Sequence, residues 1–330
     1  MENLNLSLIV PVYNRPNEIE ELLDSLSKQT DRDFEIVIVE DGSTITCTEQ
    51  IEKYKPVFDI KYFFKPNTGP GQSRNYGMER ASGNYFIILD SDCIIPSGYI
   101  ATVRKSLREN YFDTFGGPDR ADKSFTNLQQ AVDYSMTSFF TTGGIRGGKK
   151  QLDKYYPRSF NMGISKEVFE KTGGFPSVRY AASKAAGEDI ELSINIYKQG
   201  FEIGLISDAY VYHKRRTSIK QFYRQVYNFG YARVTLSRRN KGTLKLVHLL
   251  PLAFTLGSVG LVICAIFISW MFLLPLMLFM LLVNLDAIIR KRSLLIAKLA
   301  MFISLIQLYG YGLGFMKGVW DVMRGKSIGQ

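Results

Sequence analysis

The chain has 330 residues, 46% of them hydrophobic, which is room for a catalytic domain and a second region beside it. Its 41 Lys and Arg outnumber 31 Asp and Glu, and the excess is concentrated: Tyr210 to Lys245 holds 10 cations and no acid. Such a block meets phosphate; a long apolar region follows it, and no arginine-rich tail or nucleic-acid motif is present, so a membrane surface is expected and nucleic acid is excluded.

Met1 to Asn5 is polar, and Leu6 to Val12 reads as a first strand rather than a secretory leader. Tyr13-Asn14-Arg15-Pro16 follows, then a helix over about 17–28 with Ile19, Leu22, Leu23 and Leu26 on one face. Phe34 to Val39 reads as a strand ending in Glu40-Asp41-Gly42-Ser43. A short helix over 47–54 leads to a strand over 60–64. A glycine-rich turn, Asn67 to Gly77, opens a helix reaching about Ala81. Tyr85 to Leu89 is the fourth strand, bounded by Ser82-Gly83-Asn84 and Pro96-Ser97-Gly98. A helix over 97–109 and a strand near 112–115 extend the alternation, which predicts an α/β fold with a mostly parallel, doubly wound sheet.

Between Gly116 and Arg158 the pattern loosens, with a possible helix over 128–140. Thr141 to Gln151, rich in Gly and Lys, is expected to be a mobile loop that orders over ligand. Regularity returns with a strand over 160–164 and a helix over 166–172 stopped by Gly173-Gly174. Gly187-Glu188-Asp189 precedes a helix over 190–199, closed by Gly200. Strands are expected over 201–206 and 209–212, with His213 next. From Leu244 to Ile289 almost every residue is apolar. Segments 246–268 and 271–289 each reach the ~20 residues of a bilayer span. Segment 294–315, carrying Lys298 and Gln307, reads equally as a third span or as an interfacial helix. The flanking cations put the N-terminal domain in the cytoplasm. Cys47, Cys93 and Cys264 lack metal-ligand spacing, and their odd number argues for a reducing compartment.

Asp90 and Asp92 stand where the Tyr85–Leu89 run stops, at the strand end where sheets of this kind bind ligands. Two acids this close repel unless a cation sits between them, and oxygen ligands at this density suit a divalent cation, Mn2+ or Mg2+, that also grips a diphosphate. Taken alone, an Asp-x-Asp also describes a solvated turn.

The ordered blocks Pro11-Val12-Tyr13-Asn14, Glu40-Asp41-Gly42-Ser43, Gly69 to Gly77, Asp90-Ser91-Asp92, Asn161-Met162-Gly163-Ile164, Gly173-Gly174-Phe175 and Gly187-Glu188-Asp189 resemble the family 2 glycosyltransferases with the GT-A fold. The resemblance covers 6–233. It implies a GT-A (Rossmann-like) catalytic domain over 1–240, followed by C-terminal transmembrane helices over 241–330. It implies a nucleotide-sugar donor, a UDP-sugar first, with Pro11, Val12, Tyr13, Asn14 and Asp41 framing base and ribose. Arg74 and Asn75 would lie against the nucleotide, and Asp90 and Ser91 near the ribose. Asp92, Asp90 and His213 would hold the metal. Asp189 would be the catalytic base of an inverting transfer, assisted by Glu188.

Processive members of the family carry Gln-x-x-Arg-Trp where this chain has Gln221-Phe222-Tyr223-Arg224-Gln225, so a single addition is expected. The acceptor is expected to be a lipid-linked or other glycan at the cytoplasmic face of the cell (inner) membrane, with membrane lipids as further partners. Two other readings stay open. A polyprenyl-phosphate sugar synthase would use a phosphate acceptor and need no strong base. A non-catalytic membrane scaffold would keep only the fold. All the donor residues precede position 214, so a chain cut after Asn240 is expected to fold and to bind donor.

Overall fold

A computed structural model describes residues 4–143, 154–177 and 187–325. The chain forms two compact units: Met1–Arg120, Gln151–Val178 and Glu188–His213 make the first, and Ala121–Lys150, Arg179–Gly187 and Lys214–Gln330 the second.

The first unit opens with β1 (Leu6–Val12), α1 (Pro16–Ser27), β2 (Phe34–Asp41), α2 (Thr48–Tyr54), β3 (Ile60–Lys65), α3 (Pro70–Met78) and β4 (Tyr85–Leu89). After these come β5 (Cys93–Ile94), α4 (Tyr99–Glu109), β6 (Thr114–Gly116) and β7 (Asp119–Arg120). The seven strands β3-β2-β1-β4-β8-β6-β9 form one sheet, which β8 (Asn161–Ser165) and β9 (Ile203–Leu205) complete. The pairs among β3, β2, β1 and β4 are parallel, as is β6 with β9, while β8 runs antiparallel between β4 and β6. Every residue of β1, β2 and β4 is buried, as continuous apolar runs require when both faces of a sheet are covered. Leu8 and Val10 join the core with α1 and α4, while Ile9 faces Met78, Val168 and Leu192 on the other side. There α7 (Lys166–Thr172) and α8 (Glu188–Lys198) pack.

Two differences from the expected elements bear on function. Glu188 and Asp189 lie in the first turn of α8 rather than before it. A second sheet, β5-β10-β7 with β10 (Val211–His213), is built from strands of two or three residues, too short to show periodicity.

The second unit is helical. The expected helix over 128–140 is two, α5 (Asn127–Thr137) and α6 (Phe139–Thr142), broken at Ser138, whose extended backbone caps α6. Thr141 and Thr142 thus belong to a helix, and residues 144–151 of the expected loop lie outside the described residues. The basic stretch folds as α9 (Ile219–Arg239). The apolar region forms α10 (Leu250–Phe267), α11 (Leu274–Lys291) and α12 (Leu294–Met323). Among the described residues, three segments are long and apolar enough to cross a membrane: Leu246–Phe267, Trp270–Lys291 and Leu294–Met323.

Candidate active site

Because β1, β2 and β4 run parallel, Val12, Asp41 and Leu89 end at one edge of the sheet. The chain turns there, and Asp90, Ser91 and Asp92 follow β4. Pairing of β5 with β10 sets Cys93 opposite His213. That antiparallel register carries the imidazole to the acid pair, with His213 Nε2 3.1 Å from Asp92 Oδ1. The His213 ring stacks on Phe160 with centroids 4.7 Å apart, which fixes its plane. Its buried Nδ1 meets no hydrogen-bond partner among the described residues. The other Asp92 oxygen accepts from Arg15 at 2.5 Å.

Asp92, Cys93 and His213 bring one donor atom each within 4.8 Å of one another. Burial pushes the Cys93 thiol well above its ordinary range, and the protonated sulfur donates to the Phe160 carbonyl at 3.6 Å. The oxygen and nitrogen donors of Asp92 and His213 are the part of this group that fits Mn2+ or Mg2+. Asp90, expected beside Asp92 as a ligand, instead accepts from Arg74 Nη2 at 2.7 Å.

Arg74 is the hinge of the site's inner wall. It lies in α3, is 3% exposed, and its Nη1 donates to Glu188 Oε1 at 2.6 Å. Its guanidinium also stands over the Phe175 ring, 5.1 Å from the centroid. Gly71 leaves room for the Glu188 carboxylate, since a Cβ there would lie 2.6 Å from Glu188 Oε2. Burial raises the Glu188 carboxyl, Arg74 pulls it partly back, and Asp189 raises it again, to about 7. Asp189 accepts from the Ile190 backbone N–H at 2.9 Å and from Arg158 at 3.3 Å.

At the β1 and β2 ends, Asn14 has a left-handed backbone (φ 53°) and its Oδ1 accepts from Thr44 and Ile45 N–H groups. Asp41 accepts from Lys65, from Thr68 N–H at 2.9 Å and from Gly69 N–H at 2.9 Å. Burial alone would raise the Asp41 carboxyl; those donors outweigh it and hold it below its ordinary value. Pro11 and Val12 are buried in β1, while Tyr13 is 51% exposed at the edge. Asn75, expected against the nucleotide, gives both amide atoms to Phe175: Nδ2 donates to its carbonyl and Oδ1 accepts from its N–H, each at 2.8 Å. It therefore fastens the Gly173–Phe175 turn.

Of the expected residues, Asp92 and His213 meet directly, and Asp90 and Glu188 meet through Arg74. Sequence reasoning passes over Arg15, Lys65 and Arg158. For Arg15 and Lys65 the available signal is a cation just past the carboxyl end of an expected strand; Arg158 carries none, because only folding puts it beside an acid.

The glycosyl transferase family 2 profile matches residues 7–173, just over half of the chain. An uncharacterized glycosyltransferase of Rickettsia bellii is 37% identical over 112 residues, 34% of this chain and 16% of that protein. The GalNAc(5)-diNAcBac-PP-undecaprenol beta-1,3-glucosyltransferase of Campylobacter jejuni is 33% identical over 114 residues, 34% of this chain and 37% of that protein. The chain thus spans well under half the length of these relatives. Among solved structures, the mannosyltransferase PcManGT of Pyrobaculum calidifontis, in complex with GDP-Man and Mn2+, superposes with a TM-score of 0.67 at 17% identity, covering 97% of this chain and 88% of that one. Its likeness shows the same GT-A fold. With the family profile lying across the strands and turns that build this edge of the sheet, the chain belongs to glycosyl transferase family 2.

Proposed function

We propose that the protein is an inverting glycosyltransferase that moves one sugar from a nucleotide-sugar donor to a lipid-linked or other glycan acceptor at the cytoplasmic face of the cell membrane. The observation that carries this reading is the charged chain at the sheet edge: His213–Asp92–Arg15 on one side, and Asp90–Arg74–Glu188 beside Asp189 on the other. In this reading residues 1–240 hold the donor chemistry and residues 241–330 the anchor.

Asp92 and His213 would hold a divalent cation, Mn2+ or Mg2+, and its chemistry there would be to neutralise charge on the departing nucleoside diphosphate. Asp90 and Ser91 meet the ribose. Pro11, Val12, Tyr13 and Asn14 frame the base, and Asp41 with its Lys65, Thr68 and Gly69 partners keeps the rim of that pocket in place. Arg74 positions Asp90 and Glu188 together, and Asn75 acts through the Phe175 turn. Asp189 accepts the proton from the acceptor hydroxyl, oriented by Arg158 and the Ile190 N–H. Gln225, in the place of the processive tryptophan, supports a single addition. The Campylobacter relative is named for transfer to a PP-undecaprenol-linked glycan, which supports a lipid-linked acceptor here.

The test is product identification by mass spectrometry, with full-length protein, UDP- and GDP-sugars and native lipid extract. Asp189→Asn is expected to lower turnover by ~10²–10⁴-fold with donor affinity unchanged. Unchanged turnover would favour a phosphate acceptor, which is already ionised and needs no base. Absence of donor turnover by the parent protein with every acceptor would favour the scaffold.

A further inference from the structure

The third apolar helix, α12, is long enough to cross a bilayer, yet its neighbours do not suit a span. Buried residues make up 33% of its most apolar window, against 17% and 11% in the two preceding segments. What buries it is α9, in parallel register. Val226 and Tyr223 meet Gly310, the Tyr227 carbonyl meets Gly314, and Val234 and the Tyr231 carbonyl meet Gly318. Tyr231 donates to Asp321 at 3.3 Å. The middle of α12 is therefore level with the stretch of α9 holding Lys220, Gln221, Arg224, Gln225 and Asn228. Were α12 to span, those side chains would lie in hydrocarbon, where charged groups are strongly disfavoured.

The first half of α12 has a similar neighbour. Ala297, Ala300 and Ile303 pack with Ala131 and Val132 of α5, and Gln307 accepts from Ser135 at 2.6 Å. The first turns of α10 also cross α12 at its middle, where Thr255 Oγ1 lies 3.4 Å from the Leu308 carbonyl. One face of α12 is left open, with Leu295, Phe302, Leu313, Met316, Trp320 and Met323 exposed at helical spacing.

We propose that α12 lies in the plane of the membrane interface rather than across the bilayer. Its open apolar stripe rests on the acyl chains of an anionic leaflet. The cations of α9, Lys220, Arg224, Arg233, Arg238 and Arg239, meet the phosphate headgroups, and the apolar insertion into the bilayer comes from α10 and α11. The occupant of this surface is a phospholipid leaflet, by charge complementarity with α9 and by continuity with the apolar helices that precede α12. This inference rests on the membrane reading above.

The experiment uses the full chain, with Trp270→Phe and Trp320→Phe, in vesicles of phosphatidylcholine and phosphatidylglycerol. A reporter is added as Phe302→Trp or Leu313→Trp, both at exposed positions, and quenched by lipids brominated near the headgroup or near the chain end. An in-plane helix places both reporters at the same shallow depth, with quenching ratios within about twofold of each other. A span separates them by ~16 Å along the normal and puts both within ~10 Å of the bilayer centre, so that lipids brominated near the chain end quench both more than lipids brominated near the headgroup, and that result overturns the proposal. Absence of quenching by any brominated lipid would overturn the membrane reading with it.

Discussion

Glu188 is a carboxyl held between a buried arginine and a neighbouring acid, and its ionisation links the site to pH. Its ordinary value is 4.5 and its folded value about 7. Between those values the folded protein keeps a proton that the unfolded chain has released. The contribution to stability is complete below the lower value and is lost as pH rises through the upper one. Glu188→Gln keeps an acceptor for Arg74 and removes this slope. Unfolding free energies of variant and parent should diverge in the variant's favour from about pH 5 to about pH 8, by at most ~1.4 kcal/mol per pH unit. A constant difference across that range would contradict the assignment. At the other end of the site, Asp41→Ala strands the Lys65 ammonium, whose side chain is 10% exposed, away from its carboxylate. A loss of ~3 kcal/mol in denaturant unfolding is expected, with much of it recovered in Asp41→Ala combined with Lys65→Met.

Among the elements, α9 and α12 are joined through glycines that let one backbone approach the other. A Cβ on Gly230 would lie 2.0 Å from the Tyr311 carbonyl oxygen, whereas one on Gly257 in α10 would meet nothing within 4 Å. Helix propensity favours alanine over glycine by ~1 kcal/mol in either helix, so the two sites should differ in sign. Gly257→Ala should be neutral or stabilising. Gly230→Val should lower the thermal midpoint in detergent, because overpacking of ~1–3 kcal/mol exceeds any helical gain. Equal midpoints for the two variants would show that the helices separate freely.

For the whole molecule, the cut after Asn240 needs a different expectation from the one the sequence suggests. None of the residues proposed to bind donor is removed, but α9 loses the helix that buries Val226, Gly230 and Val234. Ala131, Val132 and Met136 of α5 lose Ala297, Ala300 and Ile303 in the same step. The truncated chain should aggregate without detergent, and gel filtration with donor-binding calorimetry would show it. A monodisperse product with full donor affinity would mean that α5 and α9 hold their fold without these contacts.

The sequence alone determined the strands of the parallel half of the sheet, because runs such as Tyr85–Leu89 are apolar at every position and stop at Gly, Pro or Asp. It determined that Asp41, Asp90 and Asp92 stand at strand ends, and that three stretches near the C-terminus are long and apolar, since both follow from local order. Tertiary structure decided the partners. His213 reaches Asp92 only through a three-stranded sheet whose strands are too short to carry a pattern. Arg74 joins Asp90 to Glu188 only because the fold brings α3, the end of β4 and the start of α8 together. Apolar length alone leaves α12 equally suited to span or to lie flat. Its pairing with the cation-bearing α9 is what the in-plane proposal rests on, because hydrocarbon does not solvate the charges that the pairing would bring into it.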